Sequence, residues 1–290
     1  MPLMVRTPLN QRMISTWATY PRHLNVLDRR ETAVQRRLSS GGLASYEPPT
    51  QAALLALIQL APAGAVFFDI GARIGLYSAL VDTIFAGKGV HVKAFEPTPA
   101  TAAIARRLCR HNKLSFEVVE LALADKPATS GEVSTLDAFT WQRGIDPHVV
   151  KVDVETNEPN VLAGGHATIA RARPAIVCEI GSRRRADDLA PQLDKLAALG
   201  YHSYPLTGEL PWRELDPREP DRLPAGRSCR DWLLLPGRMT GRLSRAAAGW
   251  LAAIATCDRT TNLLVQTGEA PPPGWNAGHP APRQRPFWRR

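Results

Sequence analysis

Short β-prone runs take turns with helical patterns through the middle of this chain, and that alternation leaves few folds open. VFFDIG, HVKAFEP, SFEVVELAL, VVKVDVE and AIVCEI are the β-prone runs, and GLYSALVDTIFAG and ATAAIARRLCRHN are helical patterns between them. Strands joined by helices make βαβ units, so the chain is α/β, with a mostly parallel sheet and helices on both faces. A later helix, ADDLAPQLDKLAALG, stops at Gly200, and the runs YHSYPL and DWLLLP follow. Between those two runs, the Pro-rich stretch 206–230 reads either as a lid beside a site or as a plain surface loop.

Charge is distributed unevenly over the 290 residues and their net +9. Residues 1–48 carry seven Arg against three acids, and residues 237–290 carry eight Arg against two. The middle is close to neutral, unlike a domain whose own surface tracks phosphates, so nucleic acid is not the expected partner. The chain divides accordingly into a basic, partly helical extension (1–48), a central domain (49–236), and a C-terminal helix with a Pro/Arg-rich tail (237–290). Trp275, Phe287 and Trp288 are interleaved in that tail, which reads as a disordered end; contact with RNA, anionic lipid or a partner is its other use. No apolar run reaches the ~18 residues of a membrane span, and the N-terminus lacks a sustained apolar stretch, so the expected location is cytoplasmic. Cys109, Cys178, Cys229 and Cys257 show no metal spacing and read as free thiols.

The junction FFDIGARIGLYS holds the first candidate site. A dinucleotide fingerprint wants glycines at relative positions 1, 3 and 6, and from Gly71 the last two are Arg73 and Leu76, so NAD is not expected. What stands there is Asp69-x-Gly71-x-x-x-Gly75, with Glu96 ending the next strand. A carboxylate at that place suits two ribose hydroxyls. A ribose without a pyrophosphate points to S-adenosylmethionine, with Gly71 admitting its methionine portion and Asp69 either bonding the ammonium or ordering the turn.

These blocks, followed by LALADKPA, STLDAF, VVKVDVETNEPNVLAGG and PAIVCEI in this order, resemble the FkbM-type methyltransferase family from about Tyr46 to Pro236. The resemblance implies the Rossmann-like class I methyltransferase fold, with an antiparallel edge strand in the sheet, and S-adenosylmethionine as methyl donor. It also implies a hydroxyl acceptor on a sugar, glycolipid, polysaccharide or polyketide-type natural product. By position, Asp69, Gly71, Ala72, Arg73, Gly75 and Glu96 would line the methionine and ribose ends, with Ala124 and Asp125 near the adenine.

The fourth block carries its own chemistry. Lys151, Asp153 and Glu155 alternate with valines, so at period two they point to one side. A central parallel strand is normally apolar on both faces, and Glu179 closes the neighbouring run, so a polar crevice is expected at the strand ends. Methyl transfer needs a group that takes the acceptor's proton, or a divalent ion such as Mg2+ that lowers the hydroxyl's pKa. Asp153 is the first candidate, then Glu155 and Glu179; alternatively, Asp153 and Glu155 cap backbone N–H groups and Lys151 pairs with one of them.

The chain departs from the family at two places. Arg73 stands where Asn is usual, and Thr156 where the DVEG motif has glycine, a residue that takes φ > 0 at no steric cost. The expected activity is O-methyl transfer to a carbohydrate or natural product. The other readings are a degenerate cofactor-binding module and a nucleic-acid methyltransferase.

Overall fold

The computed structural model describes residues 2–9, 22–28, 30–129, 131–223 and 229–264. The tail aromatics Trp275, Phe287 and Trp288 lie outside them. Two strands, β1 (Pro2–Arg6) and β2 (His23–Asp28), precede helices α1 (Ala33–Gly41) and α2 (Pro48–Leu60). Then come β3 (Val66–Ile70), α3 (Leu76–Phe85), β4 (His91–Phe95), α4 (Pro99–His111), β5 (Glu117–Val119), and the short strands β6 (Ala122–Leu123) and β7 (Val133–Ser134). They are followed by α5 (Leu136–Arg143), β8 (Val149–Val152), α6 (Glu158–Ala163), α7 (His166–Ala172), β9 (Ala175–Glu179) and α8 (Arg183–Ala198). β10 (His202–Pro205), β11 (Asp231–Leu235), α9 (Gly241–Ala255) and β12 (Leu263–Leu264) complete the order.

Seven strands form the central sheet in the order β10-β11-β9-β8-β3-β4-β5. Neighbours from β9 to β5 are parallel, and β11 runs against both β9 and β10, which supplies the antiparallel pairing at that edge. Period-two alternation sorts the side chains into two cores. Phe67, Val149, Val177 and Leu233 face α2, α3 and α9, while Phe68, Val150, Ile176 and Leu234 face α5 to α8. Connections leave β3 toward β4 on one side and return to β8 on the other. Ligands of open α/β sheets bind at such a switch point, outside the carboxyl ends of the strands.

The flanks join this core. β12, β1 and β2 make a three-stranded antiparallel sheet, and its Leu3, Val5, Leu24 and Val26 belong to the same cluster as α2 and α3. The helix expected in the N-terminal flank is α1, and the amphipathic helix expected after Pro236 is α9. Trp250 on α9 is fully buried, donates its Nε1–H to Gln59 Oε1 at 2.8 Å, and meets the Phe85 ring edge-on. Composition changes at 48 and 236, but the apolar core runs across both places. In the stretch 206–223 the Trp212 side chain is buried and its Nε1–H bonds the Thr207 carbonyl at 2.8 Å, so this part of the long loop is anchored. No helix among the described residues is long and apolar enough to cross a membrane.

Removing a buried Trp typically costs about 3–5 kcal/mol. Trp250→Ala is expected to destabilise the whole chain by that order in denaturant unfolding, within one transition. A loss below about 1 kcal/mol would mean that α9 is an appendage outside the cooperative core.

Candidate active site

The turn after β3 is fixed by a close backbone crossing. Gly71 has φ +82°, and a Cβ on it would lie 1.9 Å from the Asp153 carbonyl oxygen. Only glycine fits there, for a packing reason that precedes any ligand. The N–H groups of Gly71 and Ala72 both donate to the Phe95 carbonyl, at 3.0 and 2.9 Å, and tie the turn to the end of β4. Gly75, at φ +79°, opens α3 beside the Phe116 ring. Asp69 is fully buried, and its Oδ2 accepts from the Ser78 N–H (3.1 Å) and hydroxyl (2.7 Å). Its carboxylate therefore orders the start of α3; burial pushes it up from the usual range.

A cavity of about 380 Å³ opens beside this turn, lined by Gly71, Arg73, Glu96, Thr98, Asp153 and Glu155 among others. That size lies within the range of about 300–1,000 Å³ seen for small-molecule sites. Glu96 is buried at its edge, with Oε2 accepting from the Arg73 N–H (3.0 Å) and Oε1 from the Thr98 N–H (2.9 Å). Each oxygen keeps a further lone pair for a ligand hydroxyl. Ala124 and Asp125 do not line this cavity: the Ala124 N–H bonds the Ser134 carbonyl at 2.9 Å, and Asp125 is exposed.

Lys151, Asp153 and Glu155 separate at the end of β8. Lys151 is buried, with Nζ 2.8 Å from Asp153 Oδ2 and 4.9 Å from the centre of the Tyr77 ring. Glu155 has left the strand at φ +52° and pairs across the cavity with Arg73, itself at φ +52°. Thr156 takes φ +87°, a backbone that favours glycine, at a cost of about 1–2 kcal/mol for an L-residue with a side chain.

Asp153 and Glu179 face one another. The buried oxygens Asp153 Oδ1 and Glu179 Oε2 have no hydrogen-bond partner, while Glu179 Oε1 accepts from Arg185 (3.0 Å) and Arg230 (2.5 Å). With Glu158, whose Oε1 accepts from the Val154 N–H at 3.0 Å, they bring carboxylate oxygens within 4.8 Å of one another. Burial alone would raise the Asp153 carboxyl, but the Lys151 ammonium, the hydrogen bonds to Lys151 and Glu179 and the Arg73 charge together outweigh it and hold the group well below the usual range. Burial, then the Asp153 charge, lifts Glu179 from 4.5 to about 7. Of the pair, Asp153 therefore stays ionised and Glu179 is the group that titrates around neutrality. Asp231, level with Glu179 on β11, is raised to about 6 by burial and by Glu47, and its Oδ2 accepts from the Thr50 hydroxyl.

Several of these residues carried no signal in the sequence: Glu47, Thr50, Tyr77, Arg185, Arg230 and Asp231 reach the crevice from distant elements. Thr32 and Val34, from the start of α1, also line the cavity. The one available hint there was T-A-V-Q at 32–35, which forms a capping box with both reciprocal bonds.

The strand order, with an acid closing the second parallel strand beside a cavity at the switch point, is that of the class I methyltransferase fold. Within it, residues 130–203 match the family model described as Methyltransferase FkbM domain. Among solved structures the chain is similar to a methyltransferase FkbM from Methylobacillus flagellatus KT, at 18% identity and TM-score 0.43, over 60% of this chain and 44% of that one. It is also similar to an S-adenosylmethionine-dependent O-methyltransferase from Thermotoga maritima (14% identity, TM-score 0.39, 66% and 67% of the two chains). An O-methyltransferase from Bacillus cereus, in complex with SAH, gives 13% identity and TM-score 0.40 over 66% and 80%. The chain thus spans less than half of the Methylobacillus protein. No curated protein sequence matches it.

A carboxyl whose pKa is raised on folding adds stability that is fully present below its ordinary value and is lost as pH rises through the folded value. Relative to Glu179→Gln, the wild type is therefore expected to lose stability between pH 4.5 and about 7. Denaturant unfolding of both proteins across that window measures the difference, and a gap independent of pH would remove the titration of Glu179 around neutrality.

Proposed function

We propose that this chain transfers a methyl group from S-adenosylmethionine to a hydroxyl of a carbohydrate, in a glycolipid or polysaccharide, or of a polyketide-type natural product. The observation that carries this reading is the double position of Asp153, which lines the cofactor-sized cavity and also faces Glu179 in the buried crevice. Glu96 would hold the ribose hydroxyls, with the turn at Gly71 to Arg73 around the methionine end. When bound, the cofactor supplies an electrophilic methyl on a sulfonium. The acceptor oxygen forms the new O–C bond as the S–C bond breaks, and the electron pair of that bond stays on sulfur. The acceptor's proton passes to the Asp153–Glu179 pair.

Of the two carboxylates, Glu179 is the better acceptor of that proton. An efficient base has a pKa near the working pH, and Asp153 is held far below it by Lys151. Asp153 then orients Glu179 and keeps it basic. Glu155, exposed and paired with Arg73, serves the cavity wall in this reading. A second way to use the same residues is favoured by the approach of Asp153, Glu158 and Glu179: a divalent ion such as Mg2+ in place of the Glu179 proton would lower the pKa of the hydroxyl itself.

Two measurements test the proposal. Glu96→Ala should weaken S-adenosylmethionine binding by about 1.5–3 kcal/mol in calorimetry, the range for hydrogen bonds to a charged group. Unchanged affinity in the folded variant would remove the ribose assignment. Glu179→Gln and Asp153→Asn should each lower single-turnover methyl transfer by about 10²–10⁴ while cofactor affinity changes little. Wild-type rates in both variants would remove the two carboxyls from the mechanism, and cofactor binding with no turnover in the wild type would leave a cofactor-binding module; loss of wild-type activity to chelator would favour the ion.

A further inference from the structure

The start of α8 carries its charge the wrong way round. Its first turn reads Arg183-Arg184-Arg185 with no acid, capped by Ser182. The N-terminal end of a helix is already positive, so cations there are mildly unfavourable. A further guanidinium is brought to the same place from another element. The Arg230 carbonyl accepts the N–H groups of Ile180 (2.8 Å) and Gly181 (2.9 Å), which sets that residue directly beside the turn leading into α8. Arg185 and Arg230 then converge on a single oxygen, Glu179 Oε1.

One guanidinium is enough to neutralise one buried carboxylate. The other ion pairs of the crevice match one to one, Lys151 with Asp153 and Arg73 with Glu155. Here two cations converge on one buried acid, with Glu47 and Asp231 as further acids near Arg230. Arg230 keeps 62% of its side chain exposed and Arg185 30%, so both guanidinium groups stay partly open to solvent. An ion pair that exposed adds little stability. Gly181, at φ +67°, puts no side chain between them: its missing Cβ would lie 3.5 Å from both Arg185 Nη1 and Glu179 Oε1.

From this arrangement we infer that Arg185 and Arg230 bind an anionic group of the methyl acceptor, a carboxylate or a phosphate, and thereby set its hydroxyl against Glu179 Oε2. The inference rests on the reading of Glu179 as the acceptor-side base, and it narrows the acceptor to an acidic hydroxy compound. Planar guanidinium groups recognise both oxyanions through paired N–H bonds.

The full chain, saturated with S-adenosylhomocysteine, is titrated at low ionic strength with glucose, glucuronic acid and glucose 1-phosphate, following the arginine Nε–H signals by NMR. At least one acid should bind ten-fold or more tightly than glucose, and whichever acid binds tighter distinguishes carboxylate from phosphate. Arg230→Ala should abolish that preference with S-adenosylhomocysteine affinity unchanged, and Arg230→Lys should restore it in part. Equal binding of all three sugars, absence of binding by both acids, or a preference that survives in Arg230→Ala would overturn the assignment. Failure of S-adenosylhomocysteine itself to bind would count against the cofactor reading alone, because the titrations can be run without it.

Discussion

Lys151 is a buried ammonium set among buried acids, and the rest of the crevice is arranged around its charge. It is level with Asp69 across the β3–β8 pairing, bonds Asp153, and lies over the Tyr77 ring. Taking an ammonium out of water costs several kcal/mol, so it is tolerated only where acids compensate it. That compensation divides the carboxyls into two kinds. Asp153, in contact, is kept ionised; Glu179 and Asp231, one step further away, are pushed up to about 7 and about 6 by burial. A single buried cation thus separates groups of like chemistry into a fixed anion and titrating neighbours, the separation that acid–base work at neutral pH requires.

The strain of the site lies beside this charge cluster. Arg73, Glu155 and Thr156 all take positive φ, and the first two are joined by an ion pair that bridges two walls of the cavity. Thr156 holds its positive φ with a steric strain that glycine would not meet. The surrounding structure over-determines it: Gly71 is in contact with the Asp153 carbonyl, and Glu158 holds the Val154 N–H. The departures that cast doubt on the turn therefore leave its path intact and change what lines it.

The flanks matter through packing rather than charge. Their arginines suggested appended basic segments, yet apolar residues between them, Leu3, Val5, Leu24 and Trp250, enter the main core, and Thr32 and Val34 reach the cavity. Asn25 on β2 and Asn112 after α4 exchange two hydrogen bonds of 2.8 Å, which holds the N-terminal sheet against the helix that follows Glu96. The cavity beside Gly71, read only from residues 49–236, would lack one wall.

The alternation of short apolar runs with helical spacing determined the α/β class and the parallel order, because each pattern is local and its period is set by backbone geometry. The same holds for the acids at strand ends: period two alone placed Lys151 and Asp153 on one face. What the sequence left open was decided by contacts between distant segments. Whether Asp69 would bond a ligand or order its turn depended on Ser78. Which of Asp153 and Glu179 is held low and which is raised depended on which carboxylate meets Lys151. The short strands β1, β2 and β12 are stable only in one another's presence, so no local pattern announces them. Electrostatic roles are sums over neighbours in space, and only the tertiary structure chooses those neighbours.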